Sequence, residues 1–174
     1  MGNSLNDPPI ESFDETERRI ASIRKRLPGV PLTQIGVSRL INHIYKHQQA
    51  RANAFLRTHG LNYSAYNLLL MIYSVPENAI TASRLAEASG EKQANVTRLC
   101  DELSARGLIE RNASPEDRRC VMISLTPAGV ALLERVLPDA DKVLVSSYGG
   151  LSPSDLETLE TLLRRHLRNI SDVQ

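Results

Sequence analysis

Residues 91–129 have the sequence EKQANVTRLCDELSARGLIERNASPEDRRCVMISLTPAG, in which a helical pattern gives way to a strand pattern. Apolar residues recur at helical spacing in its first half, at Val96, Leu99 and Leu103. Gly107 is suited to end a helix because glycine adopts the left-handed conformation without strain. The pattern therefore predicts a helix over residues 92–106.

A β-hairpin is predicted immediately after this helix. The runs 108–111 and 121–125 are short and strand-like, and the stretch 112–119 between them is rich in turn-forming residues. Before the helix, Thr81 can cap a shorter helix that Gly90 closes. A short helix, a tight turn, a second helix and a hairpin, in this order, are typical of a winged helix-turn-helix.

Helices are also predicted on both sides of this unit, with Gly, Pro and capping residues marking their limits. The predicted helices cover 14–26, a long stretch capped by Thr33 and ending near His59, residues 63–75, a stretch that starts at Thr126-Pro127, and one that starts at Ser152-Pro153. Pro138 should kink or divide the helix that contains it. A short extended piece is expected at residues 79–80. The predicted fold class is mainly α with a small β-hairpin.

Composition and motifs exclude several classes of protein. The formal net charge of +1 does not by itself indicate a nucleic-acid partner. Two cysteines are too few for a disulfide framework, which favours a cytoplasmic protein. No apolar run approaches membrane-spanning length, and the first residues do not have the pattern of a signal peptide. The sequence has no Gly-rich phosphate loop, no His-Glu-x-x-His, no Cys-x-x-Cys and no nucleophile elbow. We therefore expect no enzyme, no cofactor and no metal.

Polar side chains occupy the leading end of the second helix of the predicted helix-turn-helix. If Val96 faces the core, then Gln93, Ala94, Asn95 and Arg98 lie largely on the outside. Gln and Asn side chains can pair bidentately with adenine, and Arg with guanine. An amphipathic helix without a nucleic-acid partner would show the same pattern.

The predicted hairpin loop carries two adjacent arginines, Arg118 and Arg119, in the segment SPEDRR. An arginine on a protruding loop can enter a minor groove, where narrow A·T-rich segments concentrate negative potential. An ordinary charged turn is the alternative. A helix-turn-helix followed by an arginine-bearing loop is more specific for DNA binding than either feature alone.

Four segments of this region resemble the sequence signature of the MarR family of transcriptional regulators. They are 94–103 (ANVTRLCDEL), 106–111 (RGLIER), 117–119 (DRR) and 123–129 (ISLTPAG). Within the family, the chain is most similar to repressors of multidrug-efflux operons. The resemblance implies a winged helix-turn-helix on a helical dimerisation base. Its parts are a tail (1–13), N-terminal helices (14–62), a DNA-binding lobe (63–126) and C-terminal helices (127–174).

The resemblance also implies partners and site residues. MarR regulators are homodimers on pseudo-palindromic double-stranded DNA, with half-sites about 34–36 Å apart. Thr81 and Ser83, at a helix N-terminus, are expected to contact phosphate. The family's base-contacting positions correspond to Gln93, Ala94, Asn95 and Arg98, and its minor-groove position to Arg118, beside Arg119.

A small-molecule effector is a further implication, since family members respond to phenolic anions or amphipathic drugs. The resemblance thus implies a repressor that such a ligand releases, with salicylate-binding positions that correspond to His43, Lys46 and Tyr63. Residues 27–76 contain no Asp or Glu, which suits an anion. A solvated helix face would have the same composition, and tyrosines at helical spacing are usually core residues.

Three alternatives for the same fold remain open. His43 and His47 are spaced to hold zinc on one helix face, which would indicate a metal sensor. Cys120, beside two arginines, could have a lowered pKa and sense oxidants. A winged-helix module that binds only protein would tolerate the loss of Arg98 and Arg118.

Overall fold

The computed structural model describes residues 12–27, 29–113 and 120–172. These residues form helices and short strands in the order that the sequence predicts, together with a 3₁₀ turn at Pro76–Asn78. The elements are α1 (Phe13–Arg26), α2 (Leu32–Arg57), α3 (Tyr63–Tyr73), β1 (Ala79–Thr81), α4 (Ala82–Ser89), α5 (Gln93–Ala105), β2 (Ile109–Ala113), β3 (Val121–Leu125), α6 (Pro127–Ser146) and α7 (Pro153–Ser171).

Side-chain caps start several helices, as predicted for Thr81, Thr126 and Ser152. The Thr81 and Thr126 hydroxyls accept backbone N–H groups three residues further on, at 3.3 Å and 3.1 Å. At α7 the cap is reciprocal: Ser152 Oγ accepts from Asp155 N at 3.2 Å, and Asp155 Oδ2 accepts from Ser152 N at 2.9 Å. Such a capping box satisfies two donors that helix geometry leaves unpaired.

The prediction that Thr33 caps the long helix is wrong. Helix α2 begins at Leu32, so Thr33 lies in its first turn, and Pro31 occupies the cap position without a side-chain hydrogen bond. The φ of Pro31 is −76°, close to the helical value, so the ring favours entry into the helix, although it supplies no acceptor for the N–H groups of the first turn.

Pro138 does not divide α6, which continues as one helix from Pro127 to Ser146. A proline in a helix interior removes one hydrogen bond and crowds the preceding turn. Leu132, Leu133 and Val136 of the same helix are buried in the core. Burial of each such side chain stabilises the fold by about 1.5–3 kcal/mol, which offsets the lost bond.

The strands form one antiparallel sheet in the order β1-β3-β2. The extended piece predicted at residues 79–80 is a third strand, in which Ile80 lies opposite Ile123. Strand β2 ends at Ala113, two residues later than predicted, and pairs Arg111 with the same Ile123. The sheet therefore joins the start of the helix-turn-helix to the base of the hairpin. We call the hairpin formed by β2 and β3 the wing.

The core lies in the lobe that contains the helix-turn-helix, and both α2 and α6 contribute to it. Its largest fully buried side chains are Leu56, Leu68, Leu69, Ile72, Leu85, Val96, Leu99, Leu103, Ile109, Ile123, Leu133 and Val136. Helices α1 and α7 bury none of their residues in the described part of the chain. Among the described helices, none is long and apolar enough to cross a membrane.

Candidate DNA-reading surface and effector cavity

Helix α5 has a buried rear and an exposed leading end. Val96, Leu99, Cys100 and Leu103 are buried, whereas the side chains predicted to contact bases lie at the surface. Gln93, Ala94 and Arg98 are exposed and Asn95 is half-buried; we call these four residues the reading surface. Because its rear residues fill the core, α5 cannot rotate without losing that packing. The four side chains therefore have a fixed outward direction.

The turn before α5 has the geometry of a helix-turn-helix. Gly90 closes α4 with a φ of +63°, a conformation that residues with a side chain rarely adopt. At the other end of α4, Thr81 Oγ1 lies 3.3 Å from Ser83 Oγ. Thr81 is half-buried and Ser83 is exposed. Both hydroxyls lie at a helix N-terminus, where unpaired N–H groups favour an anion.

The wing is attached to α5 by an arginine. Arg111 Nη1, on β2, forms an ion pair with Asp101 Oδ1 at 2.7 Å, and Arg111 Nη2 donates to the Thr97 carbonyl at 3.2 Å. This link fixes the base of the wing beside the reading surface. The predicted minor-groove residues Arg118 and Arg119 lie outside the described residues.

Asn95 and Arg98 take part in a chain of hydrogen bonds across the reading surface. Asn95 Nδ2 donates to Glu91 Oε2 at 2.9 Å, and Arg98 Nη2 donates to Asn95 Oδ1 at 2.9 Å. Arg98 also pairs with Glu102, one helical turn further on. Ser64 Oγ, on α3, donates to the other oxygen of Glu91 at 3.2 Å.

Neither Glu91 nor Glu102 is among the site residues predicted from the sequence. Their spacing from Asn95 and Arg98 is four residues in each case, which places the members of each pair on one helix face. That spacing was a usable signal for both contacts. The contact of Glu91 with Ser64 depends on the packing of α3 against the turn, which no local pattern reveals.

The two cysteines occupy different environments. Cys100 is buried on the core-facing side of α5. Burial raises the pKa of its thiol, and the nearby Arg111 opposes that shift. Cys100 is therefore protonated at neutral pH and is a poor nucleophile. Cys120, which the sequence offers as a redox sensor, is only half-buried, and its redox role stays a prediction.

A cavity of about 250 Å³ lies between α2, α3 and α6. Its wall is mainly apolar, and Arg51, Tyr63, Tyr66 and Asp141 contribute polar groups. The remaining lining residues are Gln48, Ala52, Phe55, Leu56, Asn67, Leu70, Leu137, Ala140, Val143, Leu144 and Ser147. An apolar cleft with a few polar groups has the general character of a small-molecule site.

Two polar groups of the cavity have defined states. Arg51 Nη2 donates to Ser146 Oγ of α6 at 2.9 Å, so its guanidinium bridges two walls. Burial, followed by the charge of Asp141 and the neighbouring Tyr63, raises the pKa of the Tyr66 phenol. Tyr66 is therefore protonated at neutral pH and can donate a hydrogen bond to a ligand. The wall from residues 27–76 is free of acids, but α6 adds Asp141.

The structure brings only one of the three predicted ligand residues to this cavity. Tyr63 lines it, whereas His43 and Lys46 are absent from its described lining. The His43 ring lies against Phe13 of α1, with ring centroids 5.3 Å apart, and His43 Nε2 is 2.9 Å from His47 Nε2. Among the described residues, no group of three potential metal ligands surrounds this histidine pair.

Comparison with known proteins decides the family. Residues 59–119 match the model of the MarR family. The transcriptional repressor MprA of Escherichia coli K12 is 31% identical over 163 residues, which cover 94% of this chain and 93% of MprA. The chain belongs to the MarR family. It is thus a DNA-binding transcriptional regulator with a winged helix-turn-helix. The family resemblance of residues 94–129 and the fold class predicted from the order of elements are confirmed.

Solved MarR-family structures extend the comparison. Bordetella bronchiseptica BpsR, whose DNA binding is regulated by 6-hydroxynicotinic acid, is 28% identical with a TM-score of 0.67, over 75% of this chain and 97% of BpsR. A cysteine-to-serine variant of Escherichia coli MarR, solved with operator DNA, is 25% identical with a TM-score of 0.71, over 78% of this chain and 96% of that one.

Proposed function

We propose that the protein is a homodimeric repressor that binds a pseudo-palindromic operator and is released by a small aromatic anion or a drug-like molecule. The observation that carries this proposal is the outward, fixed direction of Gln93, Ala94, Asn95 and Arg98 beside the base of the wing. Helix-turn-helix proteins insert the leading end of their second helix into the major groove. Helix α5 has the required exposure.

The proposed contacts divide into three kinds. The reading surface contacts base edges in the major groove, and Arg118, with Arg119 beside it, enters the minor groove. Thr81 and Ser83 contact the phosphate backbone at the start of α4, which fixes the register of the lobe on the duplex. A protein-binding module of the same fold would not need these arginines, so their loss distinguishes the two functions.

Dimerisation is supported by the apolar stripe of α7. Leu156, Leu159, Leu163, Leu167 and Ile170 are each more than a third exposed in the protomer, and they form a groove with Ile41 of α2. An exposed apolar surface of this kind marks an interface with another chain. Since a second copy of α7 presents the same stripe, a two-fold dimer covers both.

The effector proposal is supported by the cavity between α2, α3 and α6. Arg51 is the cation in its described lining, and Tyr63 and Tyr66 supply hydroxyls and aromatic rings. A small aromatic acid, the type of molecule that regulates BpsR, matches this combination of charge and apolar surface. His43 and Lys46 stay predicted contacts on another part of α2.

Selection of bound sequences from a random DNA pool tests the DNA-binding part. We expect an inverted repeat with half-sites about one helical turn apart. On that operator, Arg98→Ala should reduce the binding preference for the native base at one position by about 1–3 kcal/mol. Arg118→Ala should weaken binding at A·T-containing sites. Lys142→Ala, which removes one positive charge on α6, is the matched control.

The control variant should leave the base preference unchanged. Absence of any enriched motif, or equal weakening of all sequences by Arg98→Ala, contradicts the proposed contacts.

The effector part has a separate test, in which fluorescence anisotropy measures operator affinity with and without salicylate-like compounds. Ligand and DNA should weaken each other's binding by the same factor, because the coupling free energy is reciprocal.

A further inference from the structure

We propose that Glu91 is a positioning residue for base recognition: it holds the Asn95 amide, which in turn aims the Arg98 guanidinium. This inference rests on the proposed function and assigns a different role to Asn95. In the proposed function, as in the pattern predicted from the sequence, Asn95 contacts a base itself; here it acts through Arg98. In the structure both ends of its amide are hydrogen-bonded to side chains: Nδ2 donates to Glu91 and Oδ1 accepts from Arg98, at 2.9 Å each.

The orientation of the Asn95 amide follows from the chemistry of its partners. An ionised glutamate can only accept hydrogen bonds, so it must face the Nδ2 group. An arginine can only donate, so it must face Oδ1. Glu91 and Arg98 thus exclude the flipped amide, in which Oδ1 would face the acceptor of Glu91 and Nδ2 would face the donor of Arg98. Glu91 therefore determines that Asn95 presents an acceptor to Arg98.

Glu91 is itself held in place by two further contacts. Ser64 Oγ of α3 donates to its Oε1 at 3.2 Å, and its backbone N–H donates to Ser89 Oγ at 3.2 Å. Both Glu91 and Ser64 are half-buried. The carboxylate is thereby fixed relative to α3 and α4 before any DNA is bound, and such preorganisation reduces the entropy lost on binding.

Arg98 lies between an acceptor on each side along the helix. Asn95 Oδ1 precedes it by one turn and the Glu102 carboxylate follows it by one turn. The guanidinium has further N–H groups that none of the described residues contacts, and these can reach a base edge. Since an unrestrained arginine loses about 2 kcal/mol of rotamer entropy when fixed, holding it in advance lowers the cost of its base contact. The fixed direction of the guanidinium also restricts which base edge it can reach.

Two substitutions at Glu91 separate positioning from charge. Glu91→Ala and Glu91→Gln both remove one negative charge next to the DNA, so both should raise general affinity and steepen its salt dependence equally. Glutamine retains an oxygen that can accept from Asn95 and an amide that can donate to Ser64. Alanine retains neither.

The experiment measures binding of these variants to the selected operator and to a panel of its single-base substitutions. The position that Arg98 contacts is first located by comparing the wild type with Arg98→Ala. We expect Glu91→Ala to reduce the preference at that one position by about three- to tenfold, and Glu91→Gln to change it by less than about twofold. In the Arg98→Ala background, Glu91→Ala should cause no further loss, because coupled residues are not additive.

Asn95→Ala provides a second, independent measurement that does not depend on Glu91→Ala folding well. If Asn95 only aims Arg98, this variant loses preference at the Arg98 position alone. Loss at a different base pair shows direct base contact by Asn95 and overturns the proposal. Equal effects of Glu91→Ala and Glu91→Gln overturn it too, as does an effect of Glu91→Ala that persists without Arg98. Failure of the wild type to select an operator would refute the proposed function instead.

Discussion

Gly129 of α6 packs directly against the backbone carbonyl of Leu108, so closely that a Cβ at position 129 would lie 2.1 Å from that oxygen. The carbonyl is held in place because it accepts the Thr126 N–H at 3.1 Å. Gly129 itself is buried, and its N–H donates to the Thr126 hydroxyl. The end of the sheet and the start of α6 therefore meet at a contact that only glycine permits.

Gly129→Ala should destabilise the protein by about 1–3 kcal/mol, the usual range for overpacking. Urea unfolding at a fixed protein concentration measures this loss. Gly36→Ala is the matched control, because a Cβ at Gly36 in α2 meets nothing within 4 Å in the protomer. That change should be neutral or should stabilise the helix by up to about 1 kcal/mol. Equal stability of both variants would show that the Leu108 carbonyl moves freely.

Local chemistry made most of the fold predictable from the sequence. The caps at Thr81, Thr126 and Ser152 and the glycines at Gly90 and Gly107 act through their immediate neighbours, so a single sequence reveals them. The local pattern predicts the third strand, β1, only as an extended piece, since its partner, β3, lies about forty residues away. A hydroxyl near the start of a helix favours Thr33 as a cap, whereas in the structure Pro31 precedes the helix and its ring fixes φ.

The site was predictable to a smaller extent. The outward side chains of α5 follow from the buried period of Val96, Leu99 and Leu103, so their exposure was predictable. The hydrogen-bond partners of Asn95 and Arg98 were not predictable, because their side-chain rotamers depend on the residues packed around them. The cavity joins residues from 48 to 147 along the chain. Arg51, Tyr66 and Asp141 meet there only through the packing of three helices, which no single segment encodes.

The capping box of α7 should appear in the titration of Asp155. Hydrogen bonds from the Ser152 hydroxyl and backbone N–H lower the pKa of this carboxyl below its ordinary value of 3.8. The folded state thus favours the ionised carboxylate. The resulting stabilisation is present above the unfolded pKa and is lost as pH falls below 3.8 through the folded pKa.

NMR titration of the aspartate carboxyl signals measures this effect. In Ser152→Ala, the pKa of Asp155 should rise back towards 3.8. Asp139 is the internal control, because its pKa is lowered by Lys142, a neighbour on α6, and should not change when α7 loses its cap. An Asp155 pKa that is the same in wild type and variant would mean that the cap does not form in solution.

The apolar stripe of α7 should control assembly. Leu163 is 43% exposed in the protomer, and the proposed dimer buries it. Leu163→Glu should raise the dimer dissociation constant at least about a hundredfold, which corresponds to about 3 kcal/mol for burying an unpaired charge. Sedimentation equilibrium measures the constant. Thr161→Glu adds the same charge to α7 outside the groove, and a comparable effect of this control would point to general repulsion instead of loss of the stripe.

Filling the cavity should separate effector response from DNA binding. Ala140 lines the cavity on α6, whereas Ala131 of the same helix is exposed and does not. Ala140→Phe should occupy much of the 250 Å³ and raise the effector concentration needed for operator release at least about tenfold, because the ligand must then compete with a covalently attached ring.

Operator affinity without effector should change by less than about threefold in Ala140→Phe, since the reading surface is formed by α5 and the cavity wall is not part of it. Fluorescence anisotropy with labelled operator measures both quantities, and thermal unfolding with and without effector reports binding independently of DNA. Ala131→Phe introduces the same side chain outside the cavity and should respond to the effector as the wild type does. A normal response of Ala140→Phe would place the effector elsewhere, and the surface around His43 and Lys46 would become the next site to test.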